Sequence, residues 1–211
     1  MSLKLLPFRI SIGNNIKSLI CILLLGLLIL MTSTIAETAE DPDVKPRPDH
    51  WARPLEFDGL PNFYKVTDSL YRGAQPTAEG MRQLKKLGIK TVVNLRSLHS
   101  DKDEIGDIDL AYEHIRMIWH PNEEEVVHFL KIVSDKNRTP VFVHCMHGAD
   151  RTGVMCGIYR VAICNWTKQE AIAEMTKGGF GYHKIWTNLI GFIENLDISD
   201  IKKKAKIKDI N

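Results

Sequence analysis

Cysteine is scarce in this chain: four in 211 residues, and Cys21 sits inside an apolar N-terminal run. Neither Cys145, Cys156 nor Cys164 shows the spacing of a small disulfide framework, so a disulfide-stapled scaffold is excluded. Charge of one sign is lacking as well. A net charge of +2 gives no broad basic field and excludes a dedicated nucleic-acid binder. The histidines His114, His120, His128 and His183 have no close metal-ligand spacing, which argues against a zinc site. No internal repeat is visible. The longest uncharged apolar run, Leu19 to Met31, has thirteen residues. A membrane span needs about 20.

That run follows Lys4, Arg9 and Lys17 and precedes Thr34-Ile35-Ala36, a small-x-small cleavage pattern. Residues 1–36 therefore read as a secretory signal peptide, with an uncleaved anchor as the alternative. No lipobox surrounds Cys21. An exported domain, in the periplasm or cell envelope of a bacterium, is the expectation. Residues 37–60 carry Pro42, Pro46, Pro48 and Pro54 among charges and read as a linker or arm. The lysine-rich end, residues 198–211, reads as a solvated basic tail, with weak contact to an anionic membrane surface as the lesser alternative.

Residues 61–197 have globular patterning. "NFYKVTDSLYRG" predicts a hairpin turning at Thr67-Asp68-Ser69. "PTAEGMRQLKKLGI" predicts a helix capped by Thr77 and stopped near Gly88. "KTVVNLRS", "YEHIRMIW" and "PVFVH" read as strands, and "SDKDEIGDID" as a polar stretch with a short helix. Helices are predicted over "NEEEVVHFLKIVSDKN", "TGVMCGIYRVAICN", "TKQEAIAEMTKG" and "HKIWTNLIGFIENL". Thr167 and Glu170 have capping-box spacing. Strands alternating with helices predict an α/β fold, three layers deep, around a mostly parallel sheet of four to five strands.

The chemistry is concentrated in "VFVHCMHGADRTG", residues 141–153. In parallel sheets, ligands bind where a strand ends and a helix begins. Cys145 stands at that junction. Met146, His147, Gly148, Ala149 and Asp150 would form a loop whose N–H groups face one point, with the helix adding its positive end. Such a site binds an anion and favours a thiolate. Arg151 adds a planar fork matched to phosphate oxygens. Thr152 is placed to hydrogen-bond the sulfur. Attack by Cys145 on phosphorus would give a phosphocysteine that water hydrolyses, with no metal or cofactor.

This stretch resembles the signature of the cysteine-based protein tyrosine phosphatase superfamily, in its compact dual-specificity branch. "LYRGAQPTAEGMRQLKKLGIKTVVNLRS" and "EAIAEMTKGGFGYH" are similar to a bacterial dual-specificity phosphatase-like group. The resemblance implies phosphomonoester hydrolysis, of a phosphorylated protein or a small phosphoester. It implies Cys145 as nucleophile, Arg151 as phosphate ligand and His144 as the residue that orders the loop. The family's usual general acid, an aspartate on a separate loop, has no counterpart in "HIRMIWHPNEEEVV". Asp150 is the leading candidate for that role. Glu123, Glu124, Glu125, Asp107, Asp109 and His120 are the alternatives. Arg72 and Arg96 sit near strand ends, to brace the pocket or to form surface ion pairs. Asn94 is expected to bond a neighbouring loop, and "GGFGYH" to pack or to form a rim. The competing readings are a phosphate-binding module with little turnover, a phosphoinositide or lipid-phosphate phosphatase, and rhodanese-like sulfur chemistry. Arg151 and Thr152 speak against the last.

Overall fold

A computed structural model describes residues 47–207; the signal-peptide reading lies outside them. Six strands form one sheet in the order β1-β2-β3-β6-β4-β5. They are β1 (Arg53–Pro54), β2 (Tyr64–Lys65), β3 (Leu70–Gly73), β4 (Thr91–Arg96), β5 (Ala111–Met117) and β6 (Val141–His144). The last four are mutually parallel, while β1 and β2 add antiparallel at the edge. The helices are α1 (Ala78–Lys86), α2 (Lys102–Ile105), α3 (Glu123–Ser134), α4 (Asp150–Ala162), α5 (Lys168–Lys177), α6 (Thr187–Asn195) and α7 (Ile198–Ala205).

Strand alternation builds the three layers. In β4 and β6, Val93, Leu95, Val141 and Val143 join the large core beneath α3 to α7. Val92 and Phe142 point the other way, onto Met81 and Leu84 of α1 and Ile105 of α2. The central strands are buried on both faces, as the near-continuous apolar runs required. Helix starts follow local chemistry. Thr77 accepts from the Gly80 N–H at 3.2 Å, and Thr167 and Glu170 complete a capping box. A second capping box, Asn122 with Glu125, opens α3.

Two boundaries differ from the sequence expectation. Residues 47–60 are folded rather than a free linker. β1 pairs with β2, and the Ala52 N–H donates to Glu174 at 2.6 Å. Pro54 is tolerated because β1 is an edge strand. Proline and charge marked a linker, but Ala52 and Leu60 are buried and anchor the segment. At the other end, residues 198–205 form α7 rather than a tail. Ile201 and Ala205 bury one stripe and α7 packs on α3, while Lys204 pairs with Glu123 on the outer side. An apolar spacing of three and four residues was present within the lysine run.

Candidate active site

The β6 strand ends at His144, and Cys145 opens the loop that leads into α4. Cys145 is 3% exposed. The loop's shape comes from what holds its carbonyls. The Gln75 N–H donates to the Met146 carbonyl at 3.2 Å, and Asn62 Nδ2 to the His147 carbonyl at 2.8 Å. Arg72 Nη2 donates to Gly148 at 2.6 Å and to Ala149 at 3.4 Å. Four successive carbonyls are thus drawn toward donors of the first hairpin and the start of α1. The amides of residues 146–149 donate to no acceptor among the described residues. Peptide planes turned this way present N–H groups on the opposite side, which is the geometry of an anion nest. Gly148 permits the turn, with φ +69°. A Cβ there would fall 2.4 Å from the Gly73 carbonyl carbon.

Arg72 lies beneath this loop, 1% exposed, with its guanidinium carbon 3.6 Å from the centre of the Phe180 ring. No carboxylate is among its hydrogen-bond partners. Burial pushes its pKa down, opposed by the neighbouring Cys156, Glu174 and Cys145. Of the two sequence options for Arg72, the structure has bracing from below. Arg151, in the first turn of α4, reaches across the carboxyl edge of the sheet. Its Nη1 donates to the Met117 carbonyl at 3.2 Å and the Leu95 carbonyl at 3.4 Å. Nε and Nη2 stay unpartnered among the described residues, so half the fork is free for oxygens. The Thr152 hydroxyl is buried with no hydrogen-bond partner.

His144 faces the opposite layer from the thiol's helix. Its ring stacks on Phe142 at 5.5 Å, and Nε2 lies 2.7 Å from Asp101 Oδ2. Its Nδ1 is 3.3 Å from the Cys145 carbonyl. Asp101 is fully buried, and its other oxygen accepts from Gln75 at 2.9 Å and from Asn94 at 3.0 Å. Burial opposes its charge, but the bond from His144, then that histidine's proximity and Gln75, hold the carboxyl below the ordinary range. Asn94 also bonds the His99 carbonyl, as the neighbouring-loop expectation had it, and Arg96 bonds Gln75 at 3.0 Å. Sequence reasoning missed Asp101. A buried histidine before the cysteine needs a partner, and the polar segment at 100–109 was the signal. His99, Asp101 and Glu104 bring one ligand atom each within 4.8 Å of one another. Asp101 is already committed to His144, Gln75 and Asn94, while His99 Nε2 lies 3.2 Å from Glu104 Oε1, and His99 Nε2 and Glu104 Oε2 are buried without a hydrogen-bond partner among the described residues.

A cleft of about 380 Å³ borders the loop, lined by Met146, His147, Asp150, Arg151, Ile118, Trp119, His183, Ile185 and Trp186. On the other side of Met146 and Arg151 lies a hollow of about 500 Å³ with Arg96 and Leu98. A further hollow of about 520 Å³, beside Leu55 to Leu60, contains no loop residue. Asp150 is in the cleft, but both its oxygens accept from His183: Oδ1 from the main-chain N–H at 2.9 Å and Oδ2 from ring Nδ1 at 2.8 Å. The other acid candidates lie elsewhere. Glu123 pairs with Lys204, Glu125 caps α3, Asp109 pairs with Lys85 at 2.7 Å, and His120 packs on Phe192. Glu124 and Asp107 do not line the cleft. Of "GGFGYH", Phe180 is buried in the core against Arg72, and His183 lines the cleft. Cys156 is a core residue, its thiol pushed up to about 11 by burial, and the three described cysteines are unpaired.

A parallel α/β sheet with a cysteine, a ring of loop amides and an arginine at its carboxyl edge defines a cysteine-based phosphatase. The chain belongs to the family described as DSP-PTPase phosphatase fused to NAD+ kinase, whose model matches residues 60–185, and is a phosphatase of the dual-specificity-like bacterial group. It is 32% identical over 174 residues to the dual specificity protein phosphatase TpbA of Pseudomonas aeruginosa strain UCBPP-PA14, covering 79% of this chain and 74% of that one. The crystal structure of P. aeruginosa TpbA superposes with TM-score 0.68 at 27% identity, over 76% of this chain and 99% of that one. A TpbA structure in complex with phosphotyrosine matches with TM-score 0.68 and 26% identity, over 77% and 100% of the two chains.

Proposed function

We propose that this phosphatase hydrolyses phosphate monoesters through a phosphocysteine on Cys145, with aryl phosphates of the phosphotyrosine type as its best substrates. The carrying observation is the capture of four consecutive loop carbonyls by Gln75, Asn62 and Arg72, which leaves the amides aimed at the point where an anion would sit. The phosphoryl group settles among those amides, with the free edge of Arg151 on two equatorial oxygens. The Cys145 thiolate attacks in line, the ester bond breaks, and sulfur carries the phosphoryl group. To the Thr152 hydroxyl, buried and unpartnered among the described residues, we assign a hydrogen bond to sulfur when water displaces it. Asp101 and His144 hold the start of the loop.

The aryl preference rests on the cleft walls. Trp119 and Trp186 lie 5.8 Å apart between centroids, and Ile118 and Ile185 extend the apolar surface. A ring carrying phosphate fits such walls better than a short seryl ester. The relative solved with phosphotyrosine supports this reading. The N-terminal sequence supports export, which fractionation of tagged cells tests directly.

The test is turnover of 4-nitrophenyl phosphate and a phosphotyrosine peptide by the purified protein. Hydrolysis should be blocked by orthovanadate and absent in Cys145→Ser, and acid quenching should trap phosphate on sulfur. Turnover surviving in Cys145→Ser would eliminate the mechanism. Stoichiometric phosphate binding without turnover would favour the phosphate-reader alternative.

A further inference from the structure

The step left without an agent is protonation of the leaving oxygen. It rests on the phosphocysteine reading above. The loop between β5 and α3, residues 118–122, carries no aspartate, and the cleft is lined by one carboxylate, Asp150. That carboxylate is occupied. It accepts two N–H groups of His183, at 2.9 Å and 2.8 Å, one on each oxygen. An ionised carboxylate accepting two donors has no proton to give.

His183 is placed differently. With Nδ1–H committed to Asp150, Nε2 is the ring nitrogen left to exchange a proton. Nε2 has no partner among the described residues, and the His183 side chain is about half exposed on the wall of the same cleft as Arg151. The Asp150 contacts fix the ring at both its backbone and its Nδ1, which is how an orienting carboxylate serves a catalytic imidazole. The other charged or titratable groups around it are His147, whose ring centroid is 5.9 Å away, Arg151 beside Asp150, and the adjacent Lys184.

We propose that His183, oriented by Asp150, is the proton donor of the reaction. As sulfur bonds to phosphorus, the P–O bond to the leaving group breaks, and its electron pair takes the proton from His183 Nε2. The neutral imidazole then removes a proton from the water that attacks the phosphocysteine. The S–P bond breaks, and thiolate, hydrogen phosphate and the imidazolium are regenerated. Asp150 is a positioning residue in this scheme, not the acid.

The experiment compares 4-nitrophenyl phosphate, whose leaving group needs little protonation, with phenyl phosphate and phosphotyrosine, whose leaving groups need it. His183→Ala should lower kcat on the latter two by about a hundredfold or more and on the first by only a few-fold. Free imidazole should restore part of the phenyl phosphate turnover, which a structural defect would not allow. Asp150→Asn should show the same leaving-group dependence at smaller amplitude. His183→Asn, with its melting temperature measured, controls for folding of the rim. Equal losses on all substrates, or a leaving-group-dependent loss in Asp150→Asn but not in His183→Ala, would overturn the assignment. Activity in Cys145→Ser would instead indict the phosphocysteine reading itself.

Discussion

Two buried arginines occupy neighbouring parts of this molecule under opposite rules. Arg160, on α4, stacks over Trp166 at 4.1 Å and meets Glu174 of α5 with two bonds, 2.7 and 2.8 Å. Arg72, on β3, stacks over Phe180 at 3.6 Å and meets only the carbonyls of Gly148 and Ala149. Burial works against the charge of both. At Arg160 the Glu174 carboxylate outweighs it and raises the pKa, whereas at Arg72 burial prevails and lowers it. The paired arginine is a structural tie, since Glu174 also binds the Ala52 N–H and so fastens the N-terminal segment to α5. The unpaired one stores positive potential under the loop proposed above to bind an anion. A buried cation without a counterion is expensive. Its complement in the working enzyme is the negative charge of the reaction.

The contrast is sharpest when each arginine loses its support. Glu174→Gln strands Arg160 and should cost about 3–5 kcal/mol of unfolding free energy. Turnover per folded molecule should be preserved; denaturant melts paired with active-site titration decide this. Arg72→Met removes a charged donor from two loop carbonyls. It should weaken orthovanadate binding by roughly 10- to 150-fold, the equivalent of about 1.5–3 kcal/mol. A vanadate affinity like that of wild type, in a variant that stays folded, would reduce Arg72 to a packing residue.

Asp101 gives the comparison a pH axis. Its folded carboxyl is held below the ordinary value, so its contribution to stability is present above about pH 4, the unfolded range, and is lost as pH falls through the folded value. Asp101→Asn should therefore be about 1–3 kcal/mol less stable than wild type at neutral pH. The gap should narrow in acid, which thermal melts from neutral to pH 3 would display. The smallest effect is expected from Thr152→Ala. The buried hydroxyl makes no hydrogen bond among the described residues, so its loss should cost little stability, while slower dephosphorylation should appear as a burst in rapid-quench assays.

Much of this organisation was legible in the chain. Strand and helix periods were plain because the central strands are buried on both faces and the helices carry caps such as Thr77 and Thr167. Cys145, Gly148 and Arg151 were legible because an anion site at a strand end demands those residue types in close sequence. The partners lying far away in sequence were not. Asp101 serves His144 from 43 positions upstream, and His183 holds Asp150 from 33 positions downstream. Neither spacing has a local signature. Asp150 stands out by its own position next to Arg151, whereas its hydrogen-bond partner His183 does not. The two ends were misjudged because proline and lysine dominate their composition, while a few buried residues, Ala52, Leu60, Ile201 and Ala205, decide their fate.

Only the main chain of Met146 and His147 is clamped by the hairpin. Met146 is exposed, and the His147 side chain lines the cleft without a hydrogen bond. Neither side chain takes part in the hydrogen bonds that shape the loop, although the His147 ring lies 5.9 Å from that of His183. Exchanging Met146 toward lysine for a more anionic ester, or toward glycine for a bulkier one, is therefore expected to retarget the pocket without rebuilding the loop.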